Sequence, residues 1–296
     1  MRIALFGGIY PNNISHKDEI EKSAVYRALQ QRNAKIYVHK NFCNVLPASL
    51  QEELKAAGTV FEQIPKVDMA LSVGGDGTFL RTATAVADSD IPILGINTGR
   101  LGFLADVNFN DLNTTMDEII AGDYLIEERT LLTMKSSDET TVCGTRNCAL
   151  NEIAILKQDT ASMLTIHTYI DDEFLTTYEA DGLIIATPTG STAYSLSIGG
   201  PILTPKIPSF VLAPIAPHNL TSRPLVIHDQ SHLRLEIESR SDSFLTSLDG
   251  QSHVFDTSVT IEIFKANYTL KVVKRKGHPF YETLRDKLMW GVDVRK

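Results

Sequence analysis

Gly74-Gly75-Asp76-Gly77-Thr78 sets one carboxylate among three glycines, between an apolar run, Met69 to Val73, and a helical pattern, Phe79 to Ala87. Glycines at a strand-to-helix turn let the backbone approach a ligand and take positive φ. A helix start presents unpaired N–H groups that suit phosphate. A cradle for phosphate alone would exclude a negative charge. Asp76 therefore points to a cradle that also activates a hydroxyl or holds a metal ion, and the sequence leaves those two roles open. On this reading Gly74, Gly75, Gly77 and Thr78 lie along the phosphates.

A second concentration of chemistry runs from Thr187 to Pro201, after the apolar strand Leu183 to Ala186. It is dense in hydroxyls and glycine. A helix N-cap at Ser191 or Thr192 accounts for one hydroxyl and leaves the others for a sugar or phosphate ligand. Asn151-Glu152 lies between apolar stretches, where a carboxylate is costly unless paired or bound. It reads either as structural or as a clamp on vicinal ribose hydroxyls, like the acidic residue of dinucleotide folds. Asp181 precedes a buried strand and reads as a turn residue or a ligand contact. Asp249-Gly250, followed by Gln251, is a strong hairpin signal. His218 closes a loop or touches ligand.

The elements around these motifs change texture along the chain. Predicted strands at 2–6, 34–38, 69–73 and 92–97 alternate with helices at 15–32, 46–57 and 79–87. That rhythm means a parallel sheet with crossover helices. Ligands of such sheets bind at the carboxyl ends of the strands, where Gly74 to Thr78 falls. After about residue 100 the chain reads as short, largely antiparallel strands, with turns at Asp171-Asp172 and Lys265-Ala266-Asn267. A helix from about Tyr281 to Trp290 ends it. The seam of two such domains is a common place for a ligand.

The chain has 296 residues, 43% apolar and 22% charged, with a net charge of −8. That is ordinary soluble composition, and the acidity argues against nucleic acid or an anionic membrane as partner. Cys43, Cys143 and Cys148 make neither an even disulfide framework nor a zinc knuckle, so a reduced cytoplasm is the expected setting. The apolar run at the start is too short for a signal peptide, and no stretch reaches the length of a membrane span.

Taken in this order, the motifs resemble the NAD kinase family of bacterial type. The likeness rests on Gly74 to Thr78, Gly95 to Leu104, Asn151-Glu152, Asp181-Gly182, Thr187 to Ser197 with Gly199-Gly200-Pro201, and Asp249-Gly250-Gln251. It covers almost the whole chain. The glycine turn recurs in lipid kinases and some phosphofructokinases; the Thr187 to Pro201 run paired with Asn151-Glu152 is far more specific. The resemblance implies transfer of the ATP γ-phosphoryl group to the 2′-hydroxyl of the adenosine ribose of NAD. It implies a divalent metal, usually magnesium, and a homodimer or homotetramer with the NAD site near a subunit contact. It also implies a Rossmann-like α/β domain at 1–100, a β-rich NAD-binding domain at 101–277, and a last helix, 278–296, returning to the first domain.

Residue roles follow from the same likeness. Asp76 would accept the ribose proton, and Asp76 and Gly77 would contact NAD. Arg81 would point at the same region, and Phe103 would lie against an adenine. Asn151 and Glu152 would bind a ribose or the nicotinamide end, and Asp181 would place the nicotinamide side. Thr192, Ala193, Tyr194, Ser195, Leu196 and Ser197 would line the adenosine pocket, with Ala216 on its wall and Gln251 closing the site. Glu179 departs from the basic residue common in bacterial relatives, a position tied to the choice between NAD and NADH. Two other readings compete. A diacylglycerol or sphingosine kinase would want an apolar cleft and a basic membrane face, which this acidic chain lacks. A non-catalytic NAD sensor would need no carboxylate in the glycine turn.

Overall fold

Five consecutive buried residues, Met69–Val73, form the central strand of the first half of the chain. A strand buried on both faces needs helices on both sides, which crossover connections supply. In the computed structural model, residues 1–7, 16–99, 102–105, 107–142, 147–159, 162–277 and 279–290 are described. The elements in order are β1 (Arg2–Gly7), α1 (His16–Gln30), β2 (Lys35–His39), α2 (Lys40–Cys43), α3 (Ala48–Ala56), β3 (Val60–Phe61), β4 (Met69–Val73), α4 (Asp76–Val86), β5 (Ile93–Asn97), β6 (Val107–Asn108) and α5 (Leu112–Ala121). There follow β7 (Tyr124–Ser136), β8 (Cys148–Ala149), β9 (Glu152–Leu156), β10 (Leu164–Ile170), β11 (Glu173–Ala180), β12 (Gly182–Ala186), α6 (Tyr194–Ser197), β13 (Ser209–Ile215), β14 (Leu225–His228), β15 (Leu233–Glu238), β16 (Ser243–Leu248), β17 (Gln251–Asp256), β18 (Ile261–Arg275) and α7 (Phe280–Leu288).

Two units emerge, one of residues 1–127 with 271–296 and one of residues 128–270. The first is α/β. Its strands run in parallel in the order β5-β4-β1-β2-β3, and Val272 of β18 pairs in parallel with Ile93 of β5. Its core joins Leu5, Leu29, Val38, Phe42, Leu71, Leu94, Ile96, Met116 and Val273. Residues 107–121 belong to this unit, beyond residue 100, because α5 is tied to α1. Arg32 Nε donates to Asp117 at 2.7 Å, and Arg32 Nη2 donates to the Asn113 carbonyl at 3.0 Å. The last helix, α7, is also part of this unit, and Lys287 Nζ lies 5.8 Å from the Phe103 ring centroid.

The second unit is a pair of antiparallel sheets around one core. One sheet has the order β14-β13-β12-β9-β16-β17, the other β11-β10-β15-β18. Ile153, Ile155, Leu183, Ile185, Phe210, Leu212 and Phe244 meet Ile166, Leu235, Ile237, Ile261 and Ile263 between them. The alternation in Leu164–Ile170 and Leu233–Glu238, buried then half-buried, is that of strands with one covered face. Asp171 and Asp172, with φ of 51° and 66°, make the predicted β10–β11 turn.

Lys265-Ala266-Asn267 is not a turn. The chain runs straight through it as β18, with Ala266 buried. Cross-strand packing overrides the turn preference of Asn. The apolar run around Asn151-Glu152 is broken at Leu150 and Asn151 into β8 and β9. The helix predicted from Phe79 begins three residues earlier, so Asp76 is its first residue. Helices α2 and α5 are elements that the sequence pattern did not announce; for β11, β16 and β17 it marked only the turns that join them, at Asp171-Asp172 and Asp249-Gly250. Among the described residues Cys43 and Cys148 form no disulfide, and Cys143 lies outside the described residues. Among the described residues no helix is long and apolar enough to cross a membrane.

Candidate active site

In the first unit the glycine turn sits at the carboxyl end of β4, with Asp76 opening α4. Of its glycines only Gly74 has a positive φ, 152°, and a Cβ there would lie 2.5 Å from Thr78 Oγ1. Gly75 has φ −92°, and a methyl group placed on it would meet nothing within 4 Å; one on Gly77 would meet only Arg81, at 3.9 Å. The latitude for positive φ that the glycines offer is used at Gly74 alone. Freedom at Gly75 and Gly77 leaves space in front of the helix start, where backbone N–H groups are unpaired. Thr78 is buried, and its hydroxyl accepts from Arg81 Nη2 at 3.3 Å.

The Asp76 carboxylate is held by backbone. Oδ2 accepts from the Phe103 amide at 2.8 Å, and Oδ1 accepts from the Leu104 and Ala105 amides, each at 3.0 Å. The segment that donates is itself built for this approach. A Cβ on Gly95 would lie 2.6 Å from Ala105 Cα, so only glycine lets the 104–105 backbone lie on β5. Buried Asn97 donates to the Ala105 carbonyl at 3.2 Å and accepts from the Gly99 amide at 2.7 Å. A Cβ on Gly102 would fall 1.8 Å from Asp76 Oδ1. The Gly95 to Leu104 motif thus exists to deliver three amides to one carboxylate. Arg100 and Leu101 lie outside the described residues. A carboxylate has about four lone-pair positions, so three donors leave one, on Oδ2. Phe103 is half-buried beside the clamp, and Arg81 is exposed.

In the second unit Asn151, Glu152, the 187–197 turn and the β16–β17 hairpin come together. Asp249, which the sequence marked only as a hairpin residue, accepts from the amides of Leu150 at 2.7 Å, Asn151 at 2.9 Å and Glu152 at 3.1 Å. Burial raises the Asp249 carboxyl to about 6, against the pull of these three amides. Glu152 is pushed up to about 8, first by burial, then by the charge of Asp249, while the Tyr194 amide opposes the shift. The two carboxyls share one buried place, and the amide-held Asp249 keeps the charge while Glu152 keeps the proton. Glu152 Oε2 is buried and has no hydrogen-bond partner.

The hydroxyls of the 187–197 turn are spent partly on the fold. Thr187 Oγ1 donates to the Leu150 carbonyl at 2.5 Å and accepts from the Gly190 amide at 3.1 Å. Ser191 donates to the Pro188 carbonyl at 2.7 Å and accepts from the Leu203 amide at 3.0 Å. Neither Ser191 nor Thr192 caps α6, whose N-cap is Ala193. Thr192, Ala193 and Leu196 are half-buried, Tyr194 and Ser197 are exposed, and Ser195 is fully buried with an unpartnered hydroxyl. Gln251 is exposed beside the Asp249-Gly250 turn. Arg129, which no sequence motif singled out, is 4% exposed and donates to Thr189 Oγ1 at 3.2 Å. Its signal was a cation at an inward position of β7, two residues before buried Leu131.

Asp181 and Ala216 stand apart from that cluster. They flank the start of β12 and the end of β13, where the Asp181 amide donates to the Ile215 carbonyl at 2.9 Å. Asp181 Oδ1 pairs with Lys157 Nζ at 2.6 Å. The 187–197 turn leaves the other end of β12, about 20 Å away at the usual rise per strand residue. Ala216 is exposed with φ 45°, and His218 is exposed with its amide donating to the Glu179 carbonyl at 2.8 Å.

The family model of the ATP-NAD kinase N-terminal domain matches residues 8–124, and that of the ATP-NAD kinase C-terminal domain matches residues 150–275. An NAD kinase of Bacteroides fragilis is 45% identical over 295 residues, 100% of each chain. One of Cytophaga hutchinsonii is 43% identical over 90% of this chain and 91% of its own. Among solved structures, an NAD kinase of Archaeoglobus fulgidus in complex with ATP superposes with a TM-score of 0.74 at 26% identity, covering 98% of this chain and 99% of that one. Yeast NADH kinase complexed with NADH shares the fold, with a TM-score of 0.81 at 24% identity over 99% of this chain and 89% of its own. On both halves of its length, the chain belongs to the ATP-NAD kinase family.

Proposed function

We propose that this chain transfers the γ-phosphoryl group of ATP to the 2′-hydroxyl of the adenosine ribose of NAD. The observation that carries the reading is Asp76, the one carboxylate in a glycine turn at the carboxyl edge of a parallel sheet, in a chain of this family. Phosphoryl transfer through a loose transition state is mostly positioning and charge neutralisation. Three amides fix the Asp76 carboxylate in place and leave one lone pair of Oδ2 for the hydroxyl. O2′ bonds to the γ-phosphorus as the bond to the ADP oxygen breaks, and the hydroxyl proton passes to Asp76 late in the step. Unpaired amides at the start of α4, beside Gly75 and Gly77, receive the phosphates.

Magnesium is the ion that this reaction calls for. Among the described residues no three His, Cys, Asp or Glu side chains converge on one point, and Asp76 has a single lone pair left. The ion belongs to the substrate, arriving on the triphosphate of ATP. In the second unit Asn151 and Glu152 take a ribose or the nicotinamide end, and Thr192 to Ser197 line the adenosine pocket. Asp181 and Ala216 lie at the far end of β12, so one pocket would draw them from a second copy of the chain. That separation supports a homodimer or homotetramer. The acidic chain and its odd number of cysteines fit a cytoplasmic protein.

The test is a coupled assay with NAD, ATP and magnesium, reading NADP by a strictly NADP-dependent dehydrogenase. NADP formation by the native chain and its loss in Asp76→Asn are the expected result. A folded, NAD-binding protein that makes no NADP, and no NADPH from NADH, would overturn the proposal.

A further inference from the structure

The break between β8 and β9 has a complete hydrogen-bond account. Leu150 and Asn151 leave the sheet ladder for a bend that leads into Glu152, the first residue of β9, and the backbone groups of all three need partners. The three amides donate to the Asp249 carboxylate at 2.7, 2.9 and 3.1 Å. The three carbonyls are met as well. Leu150 O accepts from Thr187 Oγ1 at 2.5 Å, Asn151 O from the Thr187 amide at 2.9 Å, and Glu152 O from the Asp249 amide at 3.2 Å. Two residues, from two different connections, thus hold all six backbone groups of the bend.

We propose that Asp249 and Thr187 are positioning residues for dinucleotide binding, a bracket that holds the 150–152 bend in the one conformation presenting Asn151 and Glu152 to the ligand. The inference rests on the reading that Asn151 and Glu152 bind NAD. The chemistry of the bracket is specific. Only a carboxylate accepts three amides from one short side chain; an asparagine in its place would turn an NH2 group toward one of them. The hairpin turn supplies the aim, with φ of 48° at Asp249 and 85° at Gly250. Gly190 closes the bracket from above, since a Cβ there would lie 2.0 Å from the Asn151 carbonyl oxygen.

The arrangement is expensive for a bend that only joins two strands. It holds two carboxyl groups in one buried place, which disfavours ionising both. What it secures is the direction of Glu152, whose Oε2 is buried and has no hydrogen-bond partner in the protein. A misplacement of about 1 Å in such a group costs roughly 10–100-fold in what it positions.

Steady-state kinetics of the full chain test this with Asn151→Ala, Asp249→Asn, Thr187→Val and Thr187→Ser. Asn151→Ala, Asp249→Asn and Thr187→Val are expected to raise KM for NAD about 10-fold or more, with KM for ATP within about twofold. Thr187→Ser keeps the hydroxyl and is expected to restore the native KM. If Asn151→Ala raises KM for NAD while Asp249→Asn and Thr187→Val do not, or move both KM values alike, the bracket is refuted and the binding site stands. If Asn151→Ala changes nothing, the binding reading falls and the bracket with it. Should Asp249→Asn not fold, the Thr187→Val and Thr187→Ser pair decides: loss of NAD affinity in the first alone supports the bracket, and equal behaviour refutes it.

Discussion

Gly102 carries no functional group, yet its substitution is expected to disable the phosphoryl-transfer centre. A methyl at Gly102→Ala would lie 1.8 Å from Asp76 Oδ1, 2.4 Å from Cγ and 2.8 Å from Oδ2. No rotation of the methyl relieves that, so the carboxylate must swing away or the 102–105 segment must lift off β5. Either route breaks the acceptances from Phe103, Leu104 and Ala105. A hydrogen bond to a charged group contributes about 1.5–3 kcal/mol. Asp76 is only half-buried, so water replaces much of what is lost, leaving a cost of about 2–4 kcal/mol. For a unit near 150 residues that is a melting-point drop of roughly 5–15 °C. Displacing Asp76, the proposed proton acceptor, should also lower kcat about 10²–10⁴-fold. The assay is calorimetric melting and NADP formation on Gly102→Ala, Asp76→Asn and the double variant. If Gly102 acts through Asp76, the double variant is no slower than Asp76→Asn alone, because coupled sites are not additive. A Gly102→Ala protein with native melting and turnover, or fully additive losses, would refute the reasoning.

Gly75→Ala is the opposite case. Nothing of the protein lies within 4 Å of the added methyl, so melting should stay within about 2 °C while nucleotide KM rises about 10-fold. Unchanged affinity would mean that the phosphates lie elsewhere. Gly190→Ala meets backbone, 2.0 Å from Asn151 O and 2.4 Å from Asn151 C, and should cost about 3 kcal/mol or more, seen as a large fall in melting temperature or loss of soluble protein. Glu152, raised to about 8, keeps a proton in the native state that the unfolded chain has lost above about 4.5. Native stability therefore falls as pH rises from about 5 to 8, and Glu152→Gln removes that loss. The melting-point advantage of the variant should widen across that window and level off above it; a gap that does not vary with pH would count against the buried pair.

Local signals carried the parts of this fold that depend on neighbours in the chain. Met69 to Val73 followed by Gly74 to Thr78 was legible because burial, turn chemistry and helix start all fall within a dozen residues. Asp171-Asp172 and Asp249-Gly250 were legible as turns for the same reason. The role of Asp249 was not, because its three amide partners are about a hundred residues away and backbone N–H groups leave no mark in a sequence. The 187–197 hydroxyls read as a ligand surface by density alone. Thr187 and Ser191 instead face inward, onto Leu150, Gly190, Pro188 and Leu203, which only the fold reveals. Lys265 to Asn267 misled in the other direction, since strand pairing at β18 outweighs local preference. Asp76 stood out by its glycine neighbours, but the clamp on it rests on Gly95 and Gly102, whose meaning lies in contacts with residues 104–105 and 76.

Strand β18 has a consequence for how the protein is made. Its final residues, with Val273 in the hydrophobic core, belong to the unit begun by Met1, whereas the whole second unit intervenes between residues 127 and 271. On a ribosome adding about 5–20 residues per second, the first unit has to wait roughly 7–30 seconds for its last strand. The second unit, complete in one uninterrupted stretch, can fold during that interval. The second unit can therefore be complete before the first, and the nascent α/β half spends that time without β18 beside Ile93 of β5, offering that part of the strand edge to whatever chaperone attends the ribosome.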